Sequence, residues 1–164
     1  MSISRTKNPF IIILDRISKN GNLGTIIRSD DALGCDGIIV TGRSVDIYDP
    51  NVISSTTGSF FSSNIEKIDT SNGILQRLRE IKNEYPEIQI VGATEKGKKR
   101  IRDYNFDKPV VLVIGNEKDG LSKFYLENCD EKIQIPIVGD ATSLNIACAT
   151  SIFLYEIFSQ RNKK

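Results

Sequence analysis

The chain has no histidine. This removes the Ser-His-Asp and Cys-His arrangements of nucleophilic catalysis, together with every metal site built on imidazole. Any chemistry must run on Arg, Asn, Ser, Glu, Asp, Lys or Tyr, or on a cosubstrate that is already reactive. Reactions that need a strong base near neutral pH are disfavoured. Cysteine is scarce: Cys35, Cys129 and Cys148 are odd in number and widely separated. They lack the paired spacing of a zinc site or a disulfide framework and read as small buried hydrophobes. No apolar run is long enough to cross a bilayer, and Met1-Ser2-Ile3-Ser4-Arg5 is not a signal peptide, so the expected compartment is the cytoplasm. No GxGxxG follows a strand. The spacing of Gly115 and Gly120 imitates a phosphate-binding P-loop, but Leu121 stands where that loop needs lysine. An ordinary dinucleotide site and a nucleotide triphosphatase are both rejected.

What remains is an ordinary globular composition, 39% hydrophobic and 26% charged over 164 residues, enough for one domain with its own core. The chain alternates strands and helices. Residues 10–14 (FIIIL), 37–40, 88–93 and 110–114 are continuous apolar runs of the kind found in strands buried on both faces. Between them, residues 22–33 read as a helix with Asn22 as its cap, a Leu23, Ile26, Ile27 and Leu33 stripe, and Gly34 at its end. Asp49-Pro50 opens a short helix stopping near Gly58, with Phe60 and Phe61 packed beneath it. Residues 71–85 form an amphipathic helix through Ile74, Leu75, Leu78 and Ile81, followed by Pro86. The order predicts an α/β fold: a mostly parallel sheet covered by helices on both faces.

Sheets of this class bind ligands at the carboxyl ends of their strands, and three segments expected there are rich in polar residues. One is Asn22-x-Gly24-x-x-x-Arg28. Another is residues 115–122, GNEKDGLS. The last follows a short strand ending at Pro136 and carries Ser143, Leu144 and Asn145 in the first turn of the final helix. Each has an ordinary structural reading. Asn22 and Asn145 suit helix caps, Arg28 suits a solvated residue paired with Asp30 or Asp31, and Gly115 and Gly120 suit a tight turn. Their coincidence at one sheet edge favours a site.

The final helix is apolar nearly all round. Ile146, Ala149, Ile152 and Phe153 cover one face, while Ala147, Leu154, Tyr155, Ile157 and Phe158 extend it, which predicts a seam against a second subunit. A net charge of +1 argues against nucleic-acid binding by bulk charge. Local basic patches exist even so, at Lys96, Lys98, Lys99, Arg100 and Arg102, and in a tail of Arg161, Lys163 and Lys164.

The strings NLGTIIRSDDALG, LVIGNEKDGLS and IQIPIVGDATSLNIACATSIFLYE resemble, in order, the three motifs of SpoU-type (TrmH-like) RNA ribose 2′-O-methyltransferases of the SPOUT superfamily. The resemblance covers roughly residues 11–156. It implies a C-terminal trefoil knot, an exception to the rule against knots. It implies S-adenosylmethionine as cosubstrate, held chiefly by main-chain groups at Gly115, Ile135 and Leu144 with Asn116 nearby, and no metal. It implies a homodimer joined through the C-terminal helix and an RNA substrate, ribosomal or transfer. By the same resemblance Arg28 lies at the catalytic centre. A guanidinium with a pKa above about 12 is a poor base, so Arg28 is expected to clamp the adjacent phosphate and stabilise developing alkoxide. Asn22 and Glu117 would orient Arg28 and the ribose, with Ser143 and Asn145 positioning cosubstrate and nucleotide.

Two departures stand out. Many relatives carry a separate N-terminal RNA-binding domain, whereas only a few residues, with Arg5 and Lys7, precede the first strand here. Residues 1–164 are therefore expected to be a single catalytic domain. Relatives often have a basic residue near Ser54, and the stretch from Lys96 to Arg102, including Lys98, Lys99 and Arg100, is the candidate replacement for RNA contact. Two competing readings are an inactive dimeric RNA-binding module of the same fold and a SPOUT enzyme acting on a base nitrogen. The Asn22/Arg28 pair and the SLN motif favour ribose.

Overall fold

The computed structural model describes residues 6–163. Arg5 and the rest of the first five residues, and Lys164 of the basic tail, lie outside them. Among the described residues seven strands form one sheet in the order β3-β2-β1-β6-β4-β7-β5. They are β1 (Phe10–Asp15), β2 (Gly37–Thr41), β3 (Ile65–Ile68), β4 (Gln89–Ala93), β5 (Lys99–Arg100), β6 (Val110–Ile114) and β7 (Glu131–Gln134), and every pairing is parallel. The helices are α1 (Asn20–Leu33), α2 (Pro50–Ser55), α3 (Ser71–Glu84), α4 (Lys123–Asn128) and α5 (Ile146–Arg161).

The continuous apolar strands are explained by where alternate residues go. Ile12 and Leu14 of β1 join the core beneath α1, α2 and α5, while Ile11 and Ile13 join the opposite core beneath α3 and α4. Successive side chains on a strand point to opposite faces, so a strand covered on both sides must be apolar throughout. Each such fully buried isoleucine or leucine contributes roughly 1.5–3 kcal/mol from area removed from water.

Helix packing depends on one close approach. A Cβ at Gly24 would lie 2.3 Å from the Ser55 Cβ, so α1 and α2 meet at a distance only glycine permits. At the far side of the sheet β7 lies between β4 and β5, although it follows both in the chain. The β4–β5 connection therefore has to cross β7, and it does so at Gly97. A Cβ there would lie 2.5 Å from the Ile133 carbonyl carbon, and Gln134 Nε2 donates to the Gly97 carbonyl at 2.6 Å.

Several sequence expectations need correcting. α1 starts at Asn20 with Lys19 as its cap, so Asn22 lies inside the first turn and does not cap it. α2 stops at Ser55, and the chain turns through Gly58 at φ 101°. Phe60 is half-buried but Phe61 is 84% exposed, because the tight turn carries it outward. β7 starts at Glu131 and ends at Gln134, before Pro136. Ser143 and Leu144 precede α5 rather than forming its first turn, since Asn145 is its cap. β3, β5 and α4 are additional: the first two are half-buried or exposed strands without apolar runs, and α4 is short. Cys148 is exposed on α5. Arg161 is no free tail, because its guanidinium donates to the carbonyls of Phe106, Asn8 and Lys108 and lies 5.6 Å from the Phe10 ring centre.

Candidate functional site

Sheet order places a crevice between β1 and β6, where the chain's crossovers diverge to either side. The β1–α1 turn, the loop after β6 and the segment between β7 and α5 meet there. Their meeting is made by hydrogen bonds between side chains far apart in sequence. Asn145 Oδ1 caps α5 by accepting from the amides of Ala147 at 2.9 Å and Cys148 at 3.4 Å. With its oxygen so engaged, its Nδ2 faces outward and donates to Asn22 Oδ1 at 3.2 Å. That in turn directs Asn22 Nδ2 to Glu117 Oε1 at 2.8 Å. Ser18 donates to the other carboxylate oxygen at 3.3 Å. The helix cap thus sets the polarity of a relay running Asn145 to Asn22 to Glu117.

Beside the relay is a cavity of about 460 Å³, the size of a small-ligand pocket. Residues 115–120 form one wall, Ile135, Ile137 and residues 142–144 a second, and Ala93, Thr94 and Lys96 a third, while Ile114, Ile146 and Phe153 supply apolar lining. The 115–120 wall is tightly wound. Asn116 and Gly120 exchange both backbone bonds at 2.9 Å, Gly120 takes φ 64°, and a Cβ at Gly115 would lie 2.2 Å from the Gly120 carbonyl carbon. This gives a bare backbone cradle next to apolar surface, which fits a nucleoside held by main-chain groups. Glu95, Glu117 and Asp119 put carboxylates around it, with Lys96 and Lys118 as the opposing cations. Among the described residues no cluster of three or more His, Cys, Asp or Glu is placed to hold a metal ion.

The structure therefore brings together most of the residues singled out from sequence. Gly115, Asn116, Ile135 and Leu144 line the cavity, as do Glu117 and Ser143. Asn22 and Asn145 join Glu117 at its side. Arg28 is not among the lining residues. It is exposed on α1, and among the described residues it has no hydrogen bond or ion pair; the expected pairing with Asp30 or Asp31 does not form. Asp30 is instead buried, and burial pushes its carboxyl up to about 6. Lys98, Lys99 and Arg100 are exposed at the β5 edge, where Lys99 pairs with Glu131 at 2.6 Å. Sequence reasoning missed Arg16, Ser18 and the wall at Ala93 and Thr94, and it assigned Lys96 to the basic patch rather than to the cavity. Position at the carboxyl ends of β1 and β4 was the available signal.

A model of the SpoU rRNA Methylase family matches residues 9–155. The chain is 39% identical over 150 residues to a 23S rRNA (uridine(2479)-2'-O)-methyltransferase from Streptomyces viridochromogenes, covering 92% of this chain and 52% of that protein. It is 32% identical over 163 residues to a 23S rRNA (guanosine-2'-O-)-methyltransferase RlmB from Yersinia pestis, covering 99% and 64%. The crystal structure of the SpoU methyltransferase AviRb from Streptomyces viridochromogenes in complex with the cofactor AdoMet superposes with a TM-score of 0.92 at 38% identity, covering 97% of this chain and 63% of that one. The chain thus spans between about half and two thirds of the length of these relatives.

Proposed function

Since the chain belongs to the SpoU rRNA methylase family, we propose that it transfers a methyl group from S-adenosylmethionine to a ribose 2′-hydroxyl of ribosomal or transfer RNA. The observation that carries this reading is the relay of Asn145, Asn22 and Glu117 beside the glycine-walled cavity. It ties together side chains from three segments far apart in the chain, Asn145 to Asn22 and Asn22 to Glu117.

The donor supplies a methyl group on a positively charged sulfur, already activated for in-line displacement. In the reaction a bond forms between the 2′-oxygen and the methyl carbon as the carbon–sulfur bond breaks, leaving a neutral thioether. The hydroxyl proton passes to the neighbouring phosphate or to water. No imidazole is required. The chain's residues position and stabilise. Gly115, Asn116, Ile135 and Leu144 hold the donor by main-chain and apolar contact, and Glu117 fixes the relay. Asn22 and Asn145 present amides toward the ribose, and Ser143 borders the same space. The Arg28 guanidinium clamps the adjacent phosphate and offsets charge developing on the 2′-oxygen.

An Arg28 without a partner among the described residues fits a site completed by a second subunit. α5 leaves Ile152, Tyr155 and Phe158 exposed at 41%, 63% and 41%, an apolar face suited to a homodimer seam. The crossing of residues 94–98 over β7 fits a trefoil knot, with residues 6–163 acting as one catalytic unit. Among the described residues no helix is long and apolar enough to cross a membrane, and the cytoplasm, where ribosomal and transfer RNA are found, is the proposed compartment. Lys98, Lys99 and Arg100 would add salt-dependent RNA contact.

The test is incubation of purified protein with total RNA and labelled donor, followed by nuclease and mass mapping of the methylated atom. Label on a ribose 2′-oxygen is expected. Label on a base, or none despite donor binding, would refute the assignment.

A further inference from the structure

Arg16 follows β1 at the crevice between β1 and β6, yet it does not line the cavity. Its backbone takes φ 58°, a left-handed conformation that only Thr57 shares among the described non-glycine residues. A side chain resists that conformation, and such strain persists only where surrounding contacts impose it. The Arg16 amide donates to the Thr41 carbonyl at 3.0 Å, and the Arg16 carbonyl accepts from Asn116 Nδ2 at 2.7 Å. Nη2 donates to the Gly120 carbonyl at 2.9 Å, Nε to Asp15 Oδ2 at 2.9 Å, and Nη1 lies 3.7 Å from Asp119 Oδ2.

The guanidinium is itself held. Asp15 is 4% exposed, and its second oxygen accepts from the Thr41 hydroxyl at 3.2 Å. Gly42 leaves room for the side-chain stem, since a Cβ there would lie 2.8 Å from Arg16 Cγ. One residue thereby grips both ends of the loop, its carbonyl at Asn116 and its side chain at Gly120 and Asp119. The other side of this loop is a cavity wall.

We propose that Arg16 is a positioning residue whose left-handed backbone and guanidinium together staple residues 116–120 into the shape that receives the methyl donor. The identity of the ligand rests on the methyltransferase reading; the staple itself does not. Arg16→Gly separates its two parts, because glycine accepts the left-handed backbone and keeps the carbonyl while losing the guanidinium. Relief of the left-handed strain offsets part of the lost contacts to Asp15 and Gly120, so this variant should melt only modestly lower than the parent, and exchange is read well below either melting temperature. Its amides at 116–120 should exchange with deuterium about tenfold faster, reporting a loosened loop. The KM for S-adenosylmethionine should rise about tenfold with kcat within about twofold, the pattern of lost uniform binding. Arg16→Lys, which keeps one donor, should fall between. Parental exchange in Arg16→Gly would overturn the staple, and a fall in kcat at unchanged KM would overturn the positioning role. If neither protein methylates RNA but the exchange contrast appears, the donor reading fails and the staple stands.

Discussion

Replacing Gly115 by alanine tests whether the cavity wall is the ligand's cradle. The added Cβ would lie 2.2 Å from the Gly120 carbonyl carbon, 2.3 Å from its oxygen and 2.4 Å from the Leu121 nitrogen, against 3.4 Å for ordinary contact. All three are backbone atoms, and the reciprocal bonds between Asn116 and Gly120 prevent a simple rotation away. The loop must retreat by about 1 Å. Overpacking of this kind costs about 1–3 kcal/mol, which lowers the melting temperature by roughly 3–9 °C for a chain of this size. Returning the loop to the position the donor needs costs that same energy of about 1–3 kcal/mol, roughly 5- to 150-fold in affinity. Calorimetric titration with S-adenosylmethionine, well below either melting temperature, should therefore show affinity falling by roughly that factor. Gly139→Ala is the control, because nothing lies within 4 Å of its added Cβ. A folded Gly115→Ala protein that binds the donor within about twofold of the parent would remove the cradle from the argument.

Arg28→Ala should lower methyl transfer by more than about a hundredfold while donor affinity stays near the parent, since the guanidinium is assigned to RNA and to developing charge; an active variant would refute the clamp. Tyr155→Glu, at a position 63% exposed in the single chain, should convert a dimer to monomer in sedimentation, and an unchanged mass would reject the α5 seam. Asp30 is buried with Oδ1 unpartnered among the described residues, and its carboxyl is raised from 3.8 to about 6 by burial, with the Cys35 hydrogen bond opposing and Asp31 and Asp36 adding. Its ionised form is the disfavoured one, so its effect is absent below about pH 4 and costs up to about 3 kcal/mol as pH rises past 6. Denaturant melts of parent and Asp30→Asn should diverge across that window, with the variant gaining at the higher pH; parallel curves would refute the shift.

The fold was legible because its main strands are buried on both faces, so FIIIL and VVLVI announce themselves without periodicity. β3 and β5 were not, since IEKI and KR lie toward the sheet's margins and carry charge. Three polar segments could be picked out in the sequence, and Gly115, Asn116, Ile135 and Leu144 line one cavity. The role of Asn22 was misread locally. A residue at a helix start looks like a cap, and only the long-range bonds to Glu117 and Asn145 reveal where its amide is used. Arg16 offered only its position just after β1, because left-handed backbone is expected of glycine and no pattern marks an arginine forced into it.

The relay makes a sharper demand on Asn145 than on any other residue, because that side chain serves the fold and the site with different atoms. Its oxygen caps α5 and its nitrogen faces Asn22. Asn145→Asp keeps an oxygen for the cap, and a carboxylate at a helix N-terminus is favoured by the helix dipole. The remaining oxygen, however, turns a donor into an acceptor facing Asn22 Oδ1. Asn22 must then flip its amide, which aims its oxygen at Glu117 and leaves two acceptors opposed. Stability should be retained or slightly raised, while kcat for methyl transfer falls by about a hundredfold, a loss of about 3 kcal/mol in transition-state stabilisation. Side-by-side melting and single-turnover measurements decide the matter. A variant that stays folded and turns over at the parental rate would show that relay polarity is a by-product of helix capping, and the site would need another organising contact.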